Sequence, residues 1–386
     1  MDSIATKPIQ PSASTLTAHF PALDGLRGLA ILLMLFNMLN LLEPQPGVIA
    51  YVFGHITFVG WIGVQLFFVL SGFLITGILI DTQRAKNYYS GFYVRRALRI
   101  FPLYFGVLAV AFILLPAIGI VPSRVAMDQS SQIWLWTYLS NWPTVFGTGS
   151  HAFPHFWSLA VEVQFYLLWP LLIRSRSPEQ CVWLCLSVAV ISFVTRCILA
   201  FAGVGVESIY ENSLCRMDAL ALGGAVAAAL RMTHWKDRLV AMRDKFLLWA
   251  IMLALIGFVT TRFNYSTLLG ETIGYTIVSL IFMLFLIAAA GADMAGSSGW
   301  GRALRFPPLR MLGKYSYAMY VFHKPLHDYV GRPLVAAMHL DVSASVPLAA
   351  TYIVIGIVVT FAVAFVSWHV YEKHFLNLKR FFVPRQ

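Results

Sequence analysis

Residues 60–80 read GWIGVQLFFVLSGFLITGILI, an apolar run without one formal charge. Wound as an α-helix at about 1.5 Å per residue, a run of this length covers about 30 Å, the thickness of a bilayer's hydrocarbon core. Comparable runs lie on either side of it, at about 26–42, 100–120, 157–173, 181–202, 216–231, 246–262, 271–291, 315–334 and 347–371. The composition agrees: 59% of the 386 residues are hydrophobic and 12% are charged. A soluble domain carries roughly 25% charged residues, and the mean hydropathy here is +0.73. Inside a bilayer every backbone amide must be satisfied within the chain, so apolar runs of this length become helices. The fold class expected is all-α, a polytopic membrane bundle of about ten transmembrane helices. A soluble globule, a disordered chain, a coiled coil and a disulfide-rich secreted fold are excluded.

An eleventh run, QIWLWTYLSNWPTVF at 132–146, is short, rich in tryptophan and broken by Pro143. The placement of basic residues decides its status. With ten spans and a cytoplasmic N-terminus, 21 of the 28 lysines and arginines fall on the inner side and only Arg124, Arg262 and Arg332 on the outer. Counting 132–146 as a span would invert everything after it. It is therefore read as re-entrant or interfacial, with both termini cytoplasmic. The net charge of +11 then reflects topology and attraction to anionic lipid, and nucleic acid is not needed to explain it.

Residues 1–20 carry no apolar signal-peptide core and are expected to be a cytoplasmic tail. Residues 21–376 form one transmembrane domain, and 377–386 a basic cytoplasmic tail. Stretches 81–99, 232–245 and 292–314 read as inner loops. Cys181, Cys185, Cys197 and Cys215 form no CxxC pair; they read as inert thiols, with a Cys197–Cys215 disulfide as a minor alternative. No zinc-spaced cluster and no glycine-rich nucleotide loop is present, so no metal or cofactor is expected.

Ionisable groups inside spans are costly unless paired or hydrated, which makes them functional candidates. In the first span, LDGLRGLAILLMLFNM (23–38), Asp24 and Arg27 stand three apart and Met38 shares a helical face with Arg27. Residues 88–104, YYSGFYVRRALRIFPLY, group Arg95, Arg96 and Arg99 among aromatics. Guanidinium forks suit phosphate, although a positive-inside loop explains the same residues. In HFWSLAVEVQFYLLWP (155–170), His155, Ser158 or Leu159, Glu162, Tyr166 and Trp169 fall on one stripe. Glu162 either pairs with Arg196 or Arg216 in the core or accepts a proton or a substrate hydrogen bond. In LGKYSYAMYVFHKPLHDY (312–329), Ser316, Tyr320, His323 and His327 form a polar stripe. His323 is either a helix–helix hydrogen-bond partner or a base.

Taken together, LDGLRGLAILL (23–33), GWIGVQLFFVLSGFLI (60–75), YVRRALRIFPLY (93–104), LSNW (139–142) with HFWSLAVE (155–162), RMDALALGG (216–224), LGKYSYAMYVFHKPL (312–326) and SWHVYEKHF (367–375) resemble, in order, the acyltransferase-3 family of membrane O-acyltransferases. The resemblance implies ten core spans in a bacterial inner membrane and transfer of an acyl group, typically acetyl, from acyl-CoA to a hydroxyl of a carbohydrate, glycolipid or related acceptor. It departs at three points. Members typically carry a histidine, taken as the catalytic base, eleven positions after the arginine of the first motif; here that position is Met38. Gln65 and Val163 replace residues that are usually acidic. A thioether cannot accept a proton near neutral pH.

On this reading the catalytic candidates are His323, then Glu162, with Arg27 orienting the donor. The candidate substrate-binding residues are Arg95, Arg96 and Arg99 for the CoA phosphates, with Asp24, Ser71, His155, Trp157, Arg216 and Tyr320. The rival class is a catalytically impaired relative acting as a glycan- or lipid-binding scaffold or partner, which Met38, Gln65 and Val163 favour. A transporter of glycan or acyl groups is the third class.

Overall fold

A computed structural model describes residues 20–146, 149–296 and 299–383. The N-terminal tail, with Lys7, and Arg385 lie outside the described residues.

The described chain is built from helices: α1 (Pro21–Met38), α2 (Val48–Val59), α3 (Ile62–Asp81), α4 (Tyr88–Ala109), α5 (Trp157–Ile173), α6 (Pro178–Phe201), α7 (Ser213–Ala229), α8 (Arg243–Thr261), α9 (Tyr275–Met294), α10 (Pro307–Leu326) and α11 (Val346–Ser367). Eight stretches are long and apolar enough to cross a membrane, and a ninth is the bent pair Val206–Ala229 with Thr233–Ala241, which turns by 106°. Helix α10 is as long as α3 but carries Arg310, Lys314, His323 and Lys324, so it falls short on composition. A helix stands at each of the ten expected positions.

Two local expectations are corrected. Helix α2 precedes the 60–80 span and runs on into it, so the two make a 34-residue stretch. The arginine segment is not a loop: Tyr88 opens α4, which places Arg95, Arg96 and Arg99 on a rigid helix. Within 377–383, Leu378–Phe382 forms a 3-10 turn, and Asn87 Nδ2, at the start of α4, donates to the Val383 carbonyl (3.0 Å).

The stretch 132–146 makes no spanning helix. It forms a turn of helix at Ile133–Trp136 and a 3-10 turn at Pro143–Phe146. Gln164 of α5 holds it, donating to the Tyr138 carbonyl and to Asn141 Oδ1 (2.9 Å each). Tyr104 stacks on Tyr138 at 4.1 Å and on Phe156 at 4.6 Å.

Helices α3 and α7 form the centre. Their crossing is built on glycine: a Cβ at Gly72 would run into the Leu220 carbonyl, and one at Gly223 into that of Val69. Helices α1 and α10 meet in the same way, Gly313 against the Asp24 carbonyl and Gly28 against that of Leu309. Small residues permit such close approach where lipid tails supply no hydrophobic drive between helices. Helices α6, α8 and α11 are peripheral. Between their ends they expose many apolar side chains, among them Trp183, Val190 and Ile198 on α6 and Val354 and Val358 on α11, as suits a lipid-facing surface. All four cysteines are free.

Candidate active site

Three cavities are strung along α3. From Val64 to Thr82 that helix rises about 27 Å at 1.5 Å per residue, close to the hydrocarbon thickness.

At the Thr82 end lies a cavity of about 640 Å³ lined by Arg95, Arg96, Arg99, Lys379, Asn87 and Tyr88, among others. No carboxylate is among its lining residues. The central cavity, about 760 Å³, shares Arg96 and Arg99 with the first and adds Arg27, Ser71, Ser158, Glu162, Tyr166, Ser316 and Tyr320. At the Val64 end is the largest, about 1520 Å³. Met34, Met38, His155, Trp157, Tyr210, Glu207, Glu211, Tyr265, His323 and Lys324 line it, and it shares Val64 and Tyr320 with the central cavity.

Ser71 donates its hydroxyl hydrogen bond to Glu162 in the central cavity. The two arginines that could have paired with Glu162 are engaged elsewhere. Arg196 meets Asp218 at 2.9 Å, and Arg216 donates to Gln65 Oε1 at 2.6 Å. Glu162 is thus a cavity carboxylate and not half of a core ion pair. Arg27 keeps Asp24 at 3.4 Å, with Asp24 set back from the lining.

In the largest cavity the bonding of two histidines fixes their tautomers. His323 Nδ1 lies 2.6 Å from the Tyr320 carbonyl. A carbonyl only accepts, so Nδ1 carries the hydrogen and Nε2 keeps its lone pair. His155 is the mirror case: Nε2 faces the Val321 carbonyl at 3.3 Å, which leaves Nδ1 as the acceptor. Both free nitrogens are buried and have no partner among the described residues. The rings are 4.7 Å apart, centroid to centroid. Buried polar atoms are rarely left without partners, and two orphan acceptors on residues that line one cavity suit a ligand that brings hydroxyl donors.

The surrounding loop is organised to present them. Buried Asp128 accepts from the His151 amide (2.9 Å), the Ala152 amide (2.9 Å) and the Ser150 hydroxyl (2.6 Å). That folds the chain just ahead of the 3-10 turn Pro154–Phe156 bearing His155. Tyr320 then joins α10 to α5, its hydroxyl donating to the His155 carbonyl (2.8 Å) and standing 2.5 Å from the Ser158 hydroxyl.

The stripes expected on α5 and α10 are thus brought together, with limits. Trp169 instead bonds Thr76 Oγ1 (2.8 Å) and His327 bonds the Tyr352 hydroxyl (2.8 Å), both as packing contacts. Asn37 is committed to the Thr57 and Phe58 carbonyls (3.1 and 3.0 Å). Arg216 lines none of the three cavities. It sits inside an aromatic box of Tyr275 (4.6 Å), Tyr210 (4.7 Å), Trp157 (5.6 Å) and Phe68 (5.9 Å) and so backs two rings of the largest cavity. Sequence reasoning missed Lys379, Tyr210, Tyr265, Glu207 and Glu211 as lining residues. Aromatics beside carboxylates are a recognisable pattern, but nothing local connects 205–211 to His323.

Against known proteins, the family described as an acyltransferase domain, acyltransferase 3, matches residues 20–369. The peptidoglycan O-acetyltransferase OatA of Listeria monocytogenes is 27% identical over 329 residues, which is 80% of this chain and 49% of that protein. The O-acetyltransferase OatA of Staphylococcus aureus is 29% identical over 328 residues, covering 81% of this chain and 51% of its own length. A putative peptidoglycan O-acetyltransferase, YrhL of Bacillus subtilis, is 28% identical over 387 residues, 92% of this chain and 54% of its own. The chain therefore spans about half the length of the curated relatives it matches. No solved structure matches it.

Proposed function

The chain belongs to the acyltransferase-3 family, and from that premise we propose that it is a multi-pass inner-membrane O-acyltransferase. It takes an acetyl group from acyl-CoA at the arginine end and gives it to a carbohydrate hydroxyl, peptidoglycan by analogy with the relatives, at the histidine end. The positive-inside count puts the arginine end and both termini in the cytoplasm. The observation that carries the reading is the junction of two unlike cavities at Val64 and Tyr320, one ringed by cations and one holding orphan histidine acceptors.

In this mechanism Arg95, Arg96 and Arg99 hold the CoA phosphates by charge-assisted hydrogen bonds. The thioester reaches the central cavity, where Arg27 faces the negative charge that develops on its carbonyl oxygen. The acceptor hydroxyl oxygen attacks the thioester carbon, the C–S bond breaks, and the hydroxyl proton passes to His323 Nε2. CoA leaves as a thiolate toward the arginine end and is reprotonated by water, while the imidazolium returns its proton to water on the other side. His323 lines the same cavity as Met38, the place the family's histidine would occupy. Glu162 is the second candidate base, from the central cavity.

The test is incubation of purified membranes with labelled acetyl-CoA, following CoA release and label on the glycan fraction. Turnover in wild type that is lost in Arg95→Ala/Arg96→Ala is expected. Turnover only in Met38→His would instead identify a donor site that has lost its chemistry. That is the scaffold reading, and Met38, Gln65 and Val163 are the residues that favour it.

A further inference from the structure

Four cations ring the cavity at the Thr82 end: Arg95, Arg96 and Arg99 from α4, and Lys379 from the far end of the chain. Among the described residues none of the four forms an ion pair. Arg231, near the same end, instead grips Asp81. Like charges gathered around a cavity without a carboxylate repel one another, and a fold keeps them there when a polyanion is to be bound. Lys379 arrives on the turn Leu378–Phe382, which Asn87 holds against α4 through the Val383 carbonyl. Its neighbour Arg380, on the same turn, is exposed and lies over Phe381 at 4.8 Å, away from the cavity lining. The turn therefore sorts two adjacent basic residues, one inward and one outward.

We propose that Lys379 is a fourth phosphate-binding cation of the donor site, delivered by a C-terminal turn that docks on the arginine helix. The proposal rests on the acyl-CoA reading and extends it. The three arginines lie within little more than one helical turn of α4 and address a phosphate from one side. Lys379 addresses the same space from a separate element, so a multiply phosphorylated carrier such as CoA is gripped from two directions. An ammonium on a flexible stem suits a phosphate whose position varies, whereas the guanidiniums fix its orientation.

The experiment measures binding of CoA to the full chain in phosphatidylcholine nanodiscs over a range of salt. Lys379→Ala is expected to weaken CoA binding about 2- to 5-fold, the usual range for one partly exposed charge, and to flatten its salt dependence. Lys379→Arg should restore most of the loss. Arg380→Ala should leave binding unchanged, which separates the inward cation from the general charge of the segment. If wild type binds CoA, Arg95→Ala/Arg96→Ala weakens it and Lys379→Ala binds like wild type, the proposal is overturned while the donor reading stands. If wild type does not bind CoA at all, both fall. A repeat in nanodiscs containing phosphatidylglycerol distinguishes the other source of phosphate. Loss of CoA binding there, equal in wild type and Lys379→Ala, would assign the cations to lipid headgroups and overturn the proposal.

Discussion

At the scale of single residues, the chemistry turns on which nitrogen has a lone pair to spare. Because the Tyr320 carbonyl takes the His323 Nδ1 hydrogen, Nε2 is left as the acceptor on a residue that lines the cavity. His323→Ala is expected to lower turnover by about 10²- to 10⁴-fold, the usual contribution of a general base, with KM for the acetyl donor little changed. Full activity in that variant would move the role to Glu162. Met38→His in the same background should recover part of the loss, since the new imidazole would open into the same cavity. Arg216 has a different part. It is fully buried, its one side-chain acceptor among the described residues is Gln65, and its rings back the acceptor cavity. Gln65→Leu would strip that acceptor from a desolvated charge, and a loss of about 1–3 kcal/mol should appear as a lower Tm in detergent. An unchanged Tm would mean that the aromatic box alone holds the guanidinium.

At the scale of elements, the bundle's accuracy depends on backbone approach. Helices α3 and α7 touch through Gly72 and Gly223, where any Cβ meets a carbonyl of the facing helix. Gly72→Leu should part them and abolish folded protein, while Gly54→Leu, on an open face of α2, should be tolerated; size-exclusion profiles after detergent extraction would show which. Much of this level was readable in the chain. Uninterrupted apolar runs located the helices, because length and hydropathy alone decide what can cross a bilayer. The polar stripes of α5 and α10 were readable because a helical period projects Ser158, Glu162 and Tyr166, or Ser316, Tyr320 and His323, onto one face. Helix α2 was missed because its apolar residues merge with the run after them. The arginine helix read as a loop because charge resembles loop composition when the partners that tolerate it are remote. Lys379 was hidden for a related reason: positive-inside topology accounts for every cytoplasmic lysine equally well, and only tertiary structure shows which one turns inward.

At the scale of the molecule, the cavities impose a direction. On the proposed reading, the donor and acceptor sites lie at opposite ends of α3, and the two substrates would approach from different compartments. Labelling with a membrane-impermeant maleimide tests this in whole cells. Ser150→Cys, at the histidine end, should react from outside, and Lys236→Cys, on the helix Thr233–Ala241, only after permeabilisation. Three of the four native thiols are buried and the fourth is partly so, which keeps the background low. Reaction of both cysteines from the same side would refute the opposed arrangement.

The contact of the central and largest cavities at Val64 and Tyr320 carries one more consequence. A membrane that stores energy as a proton gradient must insulate at every point, and here two hollows adjoin each other. Both cavities are lined there by the Val64 side chain and by the Tyr320 ring, whose hydroxyl is held by the His155 carbonyl and the Ser158 hydroxyl. Proteoliposomes bearing Val64→Gly should discharge an imposed pH gradient faster than wild type, as read by an entrapped pH dye. If the proposed transfer of acetyl between compartments holds, it has to proceed through a wall that stays closed to the smallest ion the cell controls.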